Sequence, residues 1–315
     1  MVDPVILFFV LGVAAGLMRA DLRLPAPVYE FLSFLLLLAI GLKGGVELAN
    51  QSPLALLPQI VVIGLMGTLM PFIAFPVLRF LGRMNRADSA SIAAHYGSVS
   101  VGTFAVAVAY LNFREISFEE YMPLFVVVLE VPAIIIGIML ARGVSRDTAW
   151  GRMAHEVFLG KSIVLLVGGL LIGWALGAEG VEPIAPMFFD LFKGVLALFL
   201  LEMGLIAAAQ ISVLRRHGVF LVAFGIGMPL VGAVIGTGVS LLLGLSLGGT
   251  VIVATLAASA SYIAVPAAFR LIVPEANPTL SLTASLGVTF PFNVIAGIPI
   301  YHAMAGVVHG PGGVF

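Results

Sequence analysis

Ten long apolar stretches succeed one another along the chain, each bounded by a few charged residues or by glycine and proline. They lie near 4–18, 27–43, 54–78, 89–111, 120–141, 158–177, 187–210, 219–244, 248–270 and 279–307. About 20 apolar residues wound as a helix cross the roughly 30 Å of a bilayer's hydrocarbon core, so each stretch predicts a transmembrane helix. The strands of a membrane barrel would alternate apolar and polar residues, and segments such as 31–40 (FLSFLLLLAI) do not. The predicted fold class is an all-α integral membrane protein. The opening MVDPVILFFV carries neither a basic leader nor a small-residue cleavage signal, which predicts a retained first span.

Composition sharpens this picture. Of 315 residues, 61% are apolar and 10% charged, too few polar side chains to clothe a water-facing surface. The net charge of −1 offers no basic face for nucleic acid. With no cysteine there is no disulfide framework, thiolate metal site or cysteine nucleophile. Soluble enzymes, disordered scaffolds and nucleic-acid binders are excluded; the lipid bilayer is the solvent.

The positive charges set an orientation. Twelve of the lysines and arginines fall in the odd-numbered loops: Arg19, Arg23, Arg79, Arg83, Arg86, Arg142, Arg146, Arg152, Lys161, Arg215, Arg216 and Arg270. The even-numbered loops hold Lys43 and Arg114, and Lys193 lies within a span. Basic loops stay cytoplasmic, so the odd loops are predicted inside and both termini outside.

Segments recur at a separation near 160 residues. LGVAAGL, with Gly12 and Gly16, matches LIGWALG, with Gly173 and Gly177, and LLLLAIGLKGG (36–45) resembles LALFLLEMGLIAA (196–208). GSVSVGTFAVAV (97–108) resembles ASASYIAVPAAF (258–269), and LEVPAIIIGI (129–138) echoes TFPFNVIAGI (289–298). Four matches in the same order predict a duplication: a first five-helix repeat over 1–142, a cytoplasmic linker over 143–157 and a second five-helix repeat over 158–315. An odd number of spans per half makes the second enter from the opposite side. Such 5+5 inverted-topology repeats, with discontinuous helices at the midplane, build many secondary transporters.

The repeated polar segments are the candidate site. SASIAAHYGSVSVGT (89–103) and AASASYIAVP (257–266) place hydroxyls and small residues at mid-membrane depth. If both spans break there, amide N–H groups freed at half-helix N-termini would bind an anion, with hydroxyls completing the shell. Ser98, Ser100, Val101, Gly102 and Thr103 from one segment, with Ser259, Ser261 and Tyr262 from the other, form the predicted substrate site. Small-residue helix packing is the competing account of either segment alone.

Ionisable groups inside spans come next. A charge at the bilayer centre costs roughly 2.5–3.5 kcal/mol on insertion scales and so faces a cavity, a partner or an ion. Glu130 precedes Pro132, whose missing N–H frees a carbonyl that could join the carboxylate around a small cation. Glu130 and Thr289, from the matched segments, are the ion-coupling candidates. Glu202 either caps a neighbouring helix or pairs with Lys193, and His95 is open between packing and function. Lys43 and Glu47, four residues apart near a span end, snorkel or pair. The sequence has no phosphate-binding loop, zinc-protease, nucleophile-elbow or dinucleotide motif, and no histidine pair at helical spacing, so no enzyme, cofactor or metal site is predicted.

At these motifs the chain resembles the sodium-dependent bicarbonate transporter family, best known from cyanobacterial plasma membranes. The likeness covers nearly the whole length and is densest at YGSVSVGTFAVA (96–107), LEVPAII (129–135) and LAASASYIAVPAAFRLIVPEANPT (256–279). The resemblance implies a core domain moving against a gate domain, a homotrimer in the bacterial inner membrane, and coupled uptake of sodium ion with bicarbonate. It also implies regulation by a PII-like protein on the cytoplasmic side. The chain departs from the family pattern in three places. Tyr262 stands where the family has an acidic residue, Val265 stands near its glycine, and Glu130 replaces its aspartate. The loop at 143–157 is shorter than the family's central loop, which weighs against the PII-like partner. The alternatives to bicarbonate symport are transport of another small organic or inorganic anion, and an uncoupled channel or sensor on the same fold.

Overall fold

The computed structural model describes residues 3–22, 24–51, 53–143, 151, 155 and 158–310. The expected linker at 143–157, Arg23, Arg146 and Arg152 therefore lie largely or wholly outside the described residues, as do the side chains of Arg215 and Arg216.

The described residues form helices. Helix α1 (Pro4–Leu17) starts at Asp3, whose carboxylate accepts the Val5 N–H at 2.9 Å. Then come α2 (Ala26–Ala49) and α3 (Pro53–Pro76), the latter continued by a π-turn over Val77–Leu81. Two broken pairs follow: α4 (Arg86–Gly97) with α5 (Val101–Phe113), and α6 (Met122–Glu130) with α7 (Pro132–Arg142). The second half holds α8 (Lys161–Val181), α9 (Phe192–Ile211) and α10 (Gly218–Leu242). It ends in α11 (Leu247–Ala257), α12 (Ala264–Ile272) and the long α13 run (Pro278–His309). Helices α9 and α10 part at Gly218, whose φ of 82° is strained for any other residue.

Among the described residues, eight helical segments are long and apolar enough to cross a membrane. The stretches expected as spans one and nine give shorter apolar helices, Pro4–Leu17 and Leu247–Ala257. The expected span over 248–270 is divided into α11 and α12 by non-helical residues at 258–263.

Packing sorts the segments into inner and outer ones. The most apolar window of the α4–α5 pair is wholly buried, whereas that of α3 is one-third buried. Leu54, Leu65 and Phe72 of α3 and Trp174 and Leu176 of α8 are exposed, forming an apolar surface suited to acyl chains. Two glycine seams close the outer helices on each other. A Cβ on Gly12 would lie 3.1 Å from the Gly204 Cα, joining α1 to α9. On Gly41 it would lie 3.2 Å from the Gly169 Cα, and on Gly173 3.1 Å from the Gly45 Cα, joining α2 to α8. Lipid tails give helices no hydrophobic reason to associate, so such close backbone contact is what holds them.

The α12–α13 loop is tied to α4. Asn85 caps α4 by accepting the Asp88 N–H at 2.8 Å, and Asp88 accepts the Asn277 N–H at 2.6 Å. Asn277 in turn caps α13 through the Thr279 N–H at 3.0 Å. Arg142 reaches the same loop, donating to the Ile272 carbonyl and pairing with Glu275 at 3.0 Å. The PEANP segment thus works as a strap across two helix ends.

Candidate functional site

The α4–α5 break spans residues 98–100, with Ser98 and Ser100 in extended backbone. The α11–α12 break spans residues 258–263. The two breaks meet in the interior. The Ser100 N–H donates to the Ser259 hydroxyl at 3.0 Å, and the Ser261 N–H donates to the His95 carbonyl at 2.8 Å. His95 Nδ1 bonds the Ser261 carbonyl, which assigns the proton to Nδ1, since a carbonyl can only accept. Its Nε2 is buried with no partner. Between packing and function, His95 takes a positioning role: it fastens one break to the other.

Donors at the start of α5 can be followed one at a time. A helix leaves its first N–H groups without internal partners. Ser100 N–H is taken by Ser259, and Thr103 N–H by the Ser100 hydroxyl at 3.0 Å, which also accepts the Thr103 hydroxyl at 2.8 Å. Val101 N–H has no acceptor among the described hydrogen bonds. Gly102 lies under the Tyr262 hydroxyl, so close that a Cβ there would collide with it. That hydroxyl is buried and makes no hydrogen bond within ordinary geometry. Helix α12 presents less: no side chain caps it, and Pro266 lacks an N–H in its first turn. The donor-rich end is that of α5.

A cavity of about 10 Å³ lies where the breaks meet, lined by Ser100, Val101, Glu130, Ser162, Ser261 and Tyr262 among others. This is room for about one water-sized sphere. Glu130, at the end of α6, is 2% exposed. Ser98 approaches both its carboxylate and its main-chain carbonyl at 3.4 Å. Val131 and Pro132 break the helix here, so Glu130 is aimed by a break of its own.

Of the residues expected from sequence, Ser98, Ser100, Val101, Gly102, Thr103, Ser259, Ser261, Tyr262 and Glu130 come together here, around or directly beside the cavity. Thr289 does not line it: its hydroxyl donates to the Gly225 carbonyl at 2.7 Å and pairs with the Tyr96 hydroxyl at 2.7 Å, which occupies it structurally. Glu202 acts as a cap, accepting the Leu24 N–H at 3.1 Å just ahead of α2. Two site residues escaped the sequence reading. Ser162, in the first turn of α8, lines the cavity, and a serine after Lys161 looks like any helix start. Asn293 donates to the Ala258 carbonyl at 2.9 Å and accepts the Tyr301 hydroxyl at 2.6 Å, quenching the carbonyl exposed by the second break. A buried amide inside an apolar span was the signal for it.

The geometry is that of a small polar chamber between two interrupted helices, with one carboxylate, several hydroxyls and an unspent amide donor at Val101. No curated protein matches the chain. A family model described as the Na+-dependent bicarbonate transporter superfamily matches residues 4–306, nearly the full length. On that match, the chain belongs to the Na+-dependent bicarbonate transporter superfamily.

Proposed function

We propose that this chain is a secondary transporter of a small anion, bicarbonate first, coupled to sodium ion or to protons. The observation that carries the reading is the meeting of the two helix breaks around a chamber faced by Glu130 and by the start of α5, where the Val101 N–H has no acceptor among the described hydrogen bonds. The Val101 N–H, backed by the α5 dipole, suits an anion, and the Tyr262 hydroxyl, set against the Gly102 N–H, has its own proton to give it. Glu130, with the Ser100, Ser162 and Ser261 hydroxyls, is an oxygen-rich set suited to a hard monovalent cation or a proton. A chamber of about 10 Å³ takes a bare cation or a water, not a four-heavy-atom anion, so admitting bicarbonate requires the breaks to separate. Alternating access by a core domain shifting against a gate domain supplies that separation.

Ten crossings in a 5+5 inverted repeat, with halves at 1–142 and 158–315, fit the glycine seams. α1 packs on α9 and α2 on α8, the same pairing made twice with the halves exchanged. We place both termini outside the cytoplasm of a bacterial inner membrane, because twelve basic residues lie in the odd loops. A homotrimer rests on the family resemblance alone, and the short loop at 143–157 weighs against a PII-like partner. Purified protein in liposomes tests the function: radiolabelled bicarbonate should accumulate when a sodium or proton gradient is imposed. Flux that merely follows the bicarbonate gradient would make it a channel. Binding without flux would make it a sensor, and a preference for another anion would replace the substrate.

A further inference from the structure

A second cavity, of about 300 Å³, opens between the C-terminal half of α2, the outward stripe of α5 and the residues leading into α9. Its volume lies at the lower end of the range for small-molecule pockets. Phe104, Val108 and Asn112 line it from α5, a stripe at i, i+4 and i+8, with Asn112 exposed and Phe104 2% exposed. The same stripe continued back by four residues reaches Ser100, which lines the small chamber. At about 1.5 Å per residue the cleft runs roughly 12 Å from Asn112 to Phe104, and the chamber lies roughly 6 Å beyond. Phe104 stands between a wide, largely apolar cleft that carries charged residues and a narrow polar site.

The mouth carries both signs of charge. Lys43 and Glu47 face it from α2, Glu120 from the α5–α6 connection and Lys193 from the first turn of α9. Neither lysine appears among the described ion pairs, which are Arg142–Glu275 and Lys161–Glu30. Both lysines are exposed and can meet a diffusing anion, while the Glu47 carboxyl is hydrogen-bonded to that of Glu120 and lies near Lys43, so the two acids face the cleft as a pair. A mouth with a net charge of zero but separated signs suits a carrier that must admit an anion and a cation together; a purely anion-selective funnel would be net positive.

Resting on the proposed transport reading, we infer that this cleft is the vestibule through which the ion pair reaches the chamber from the face opposite the basic loops. Lys43 and Lys193 collect the anion, Glu47 and Glu120 collect the cation, and Phe104 bars the floor until the helices part. The absence of native cysteine makes the test direct. Val108→Cys is introduced alone, and the thiol is labelled in oriented vesicles with membrane-impermeant methanethiosulfonates, one anionic and one cationic. The thiol should react from the face opposite the basic loops. Adding Lys43→Gln and Lys193→Gln should lower the anionic-to-cationic rate ratio about tenfold, the lower end of focusing by a charged cleft, and Glu47→Gln with Glu120→Gln should raise it. A thiol unreactive from that face, or a ratio indifferent to all four substitutions, overturns the vestibule. Labelling needs no bicarbonate, so the two readings fail separately. The expected ratios without bicarbonate uptake keep the vestibule and remove the substrate; uptake with an inert thiol does the reverse.

Discussion

His95 and Ser261 hold each other twice: the Ser261 N–H donates to the His95 carbonyl at 2.8 Å, and His95 Nδ1 donates to the Ser261 carbonyl. The residues are 166 apart in sequence, and the clasp fixes the last turn of α4 against the second helix break. With Ser100 bonded to Ser259 nearby, the two interruptions are fastened to each other beside the chamber. His95→Ala would leave the buried Ser261 carbonyl without its side-chain partner and open a void. An orphaned buried polar group costs about 1–3 kcal/mol, so the melting temperature in detergent should fall by several degrees, with transport lost alongside it. An unchanged melting temperature would mean that the clasp is not structural.

Tyr262 allows a prediction in which stability and affinity move in opposite directions. Its hydroxyl is buried and unpartnered, so Tyr262→Phe should leave the melting temperature equal or slightly higher. If that hydroxyl serves the anion, losing a hydrogen bond of about 1–1.5 kcal/mol should raise KM roughly tenfold. Uptake kinetics and a thermal melt on the same preparation check both halves. Gly102→Ala, which forces a methyl into the Tyr262 hydroxyl, should weaken uptake more severely.

Glu130 is the one carboxylate among the residues lining the chamber. Sodium bound there stabilises the folded protein by mass action, so the wild-type melting temperature should rise with sodium chloride relative to choline chloride. Glu130→Gln should abolish that rise. A sodium-dependent shift that survives in Glu130→Gln would move the cation elsewhere.

Ser100 serves α5 as its cap. Ser100→Ala removes the acceptor of the Thr103 N–H and of the Thr103 hydroxyl. Loss of a helix N-cap costs typically about 1 kcal/mol, a modest drop in melting temperature. The effect on bicarbonate uptake should exceed it, because the same hydroxyl lines the chamber. Equal, small losses in both measurements would confine Ser100 to capping.

Much of this arrangement is legible along the chain, for physical reasons. Runs such as 31–40 can only be lipid-facing or buried helix, and hydroxyls clustered with small residues at 97–103 and 258–262 mark helix–helix contact or a break, the recurrence of the pattern in both halves favouring the break. Glu130 beside Pro132 announces a break because proline withholds a donor. What stays hidden depends on approach across long separations. Tyr262 over Gly102 and Asn293 on the Ala258 carbonyl are contacts that no local spacing encodes. Thr289 shows the converse: its residue type suits an ion site, while its hydroxyl is bonded to the Tyr96 hydroxyl and the Gly225 carbonyl, away from the residues that line the chamber. The cap made by Glu202 on the Leu24 N–H was one of two open readings, and only the fold decides between them.

The most direct measurement is an experimental density map of the protein prepared in bicarbonate and sodium chloride, set against one prepared without bicarbonate. The account predicts new density between the Val101 amide and the Tyr262 hydroxyl, with the breaks moved apart to admit it. Identical maps at saturating bicarbonate, or ligand density bound far from both breaks, would contradict it.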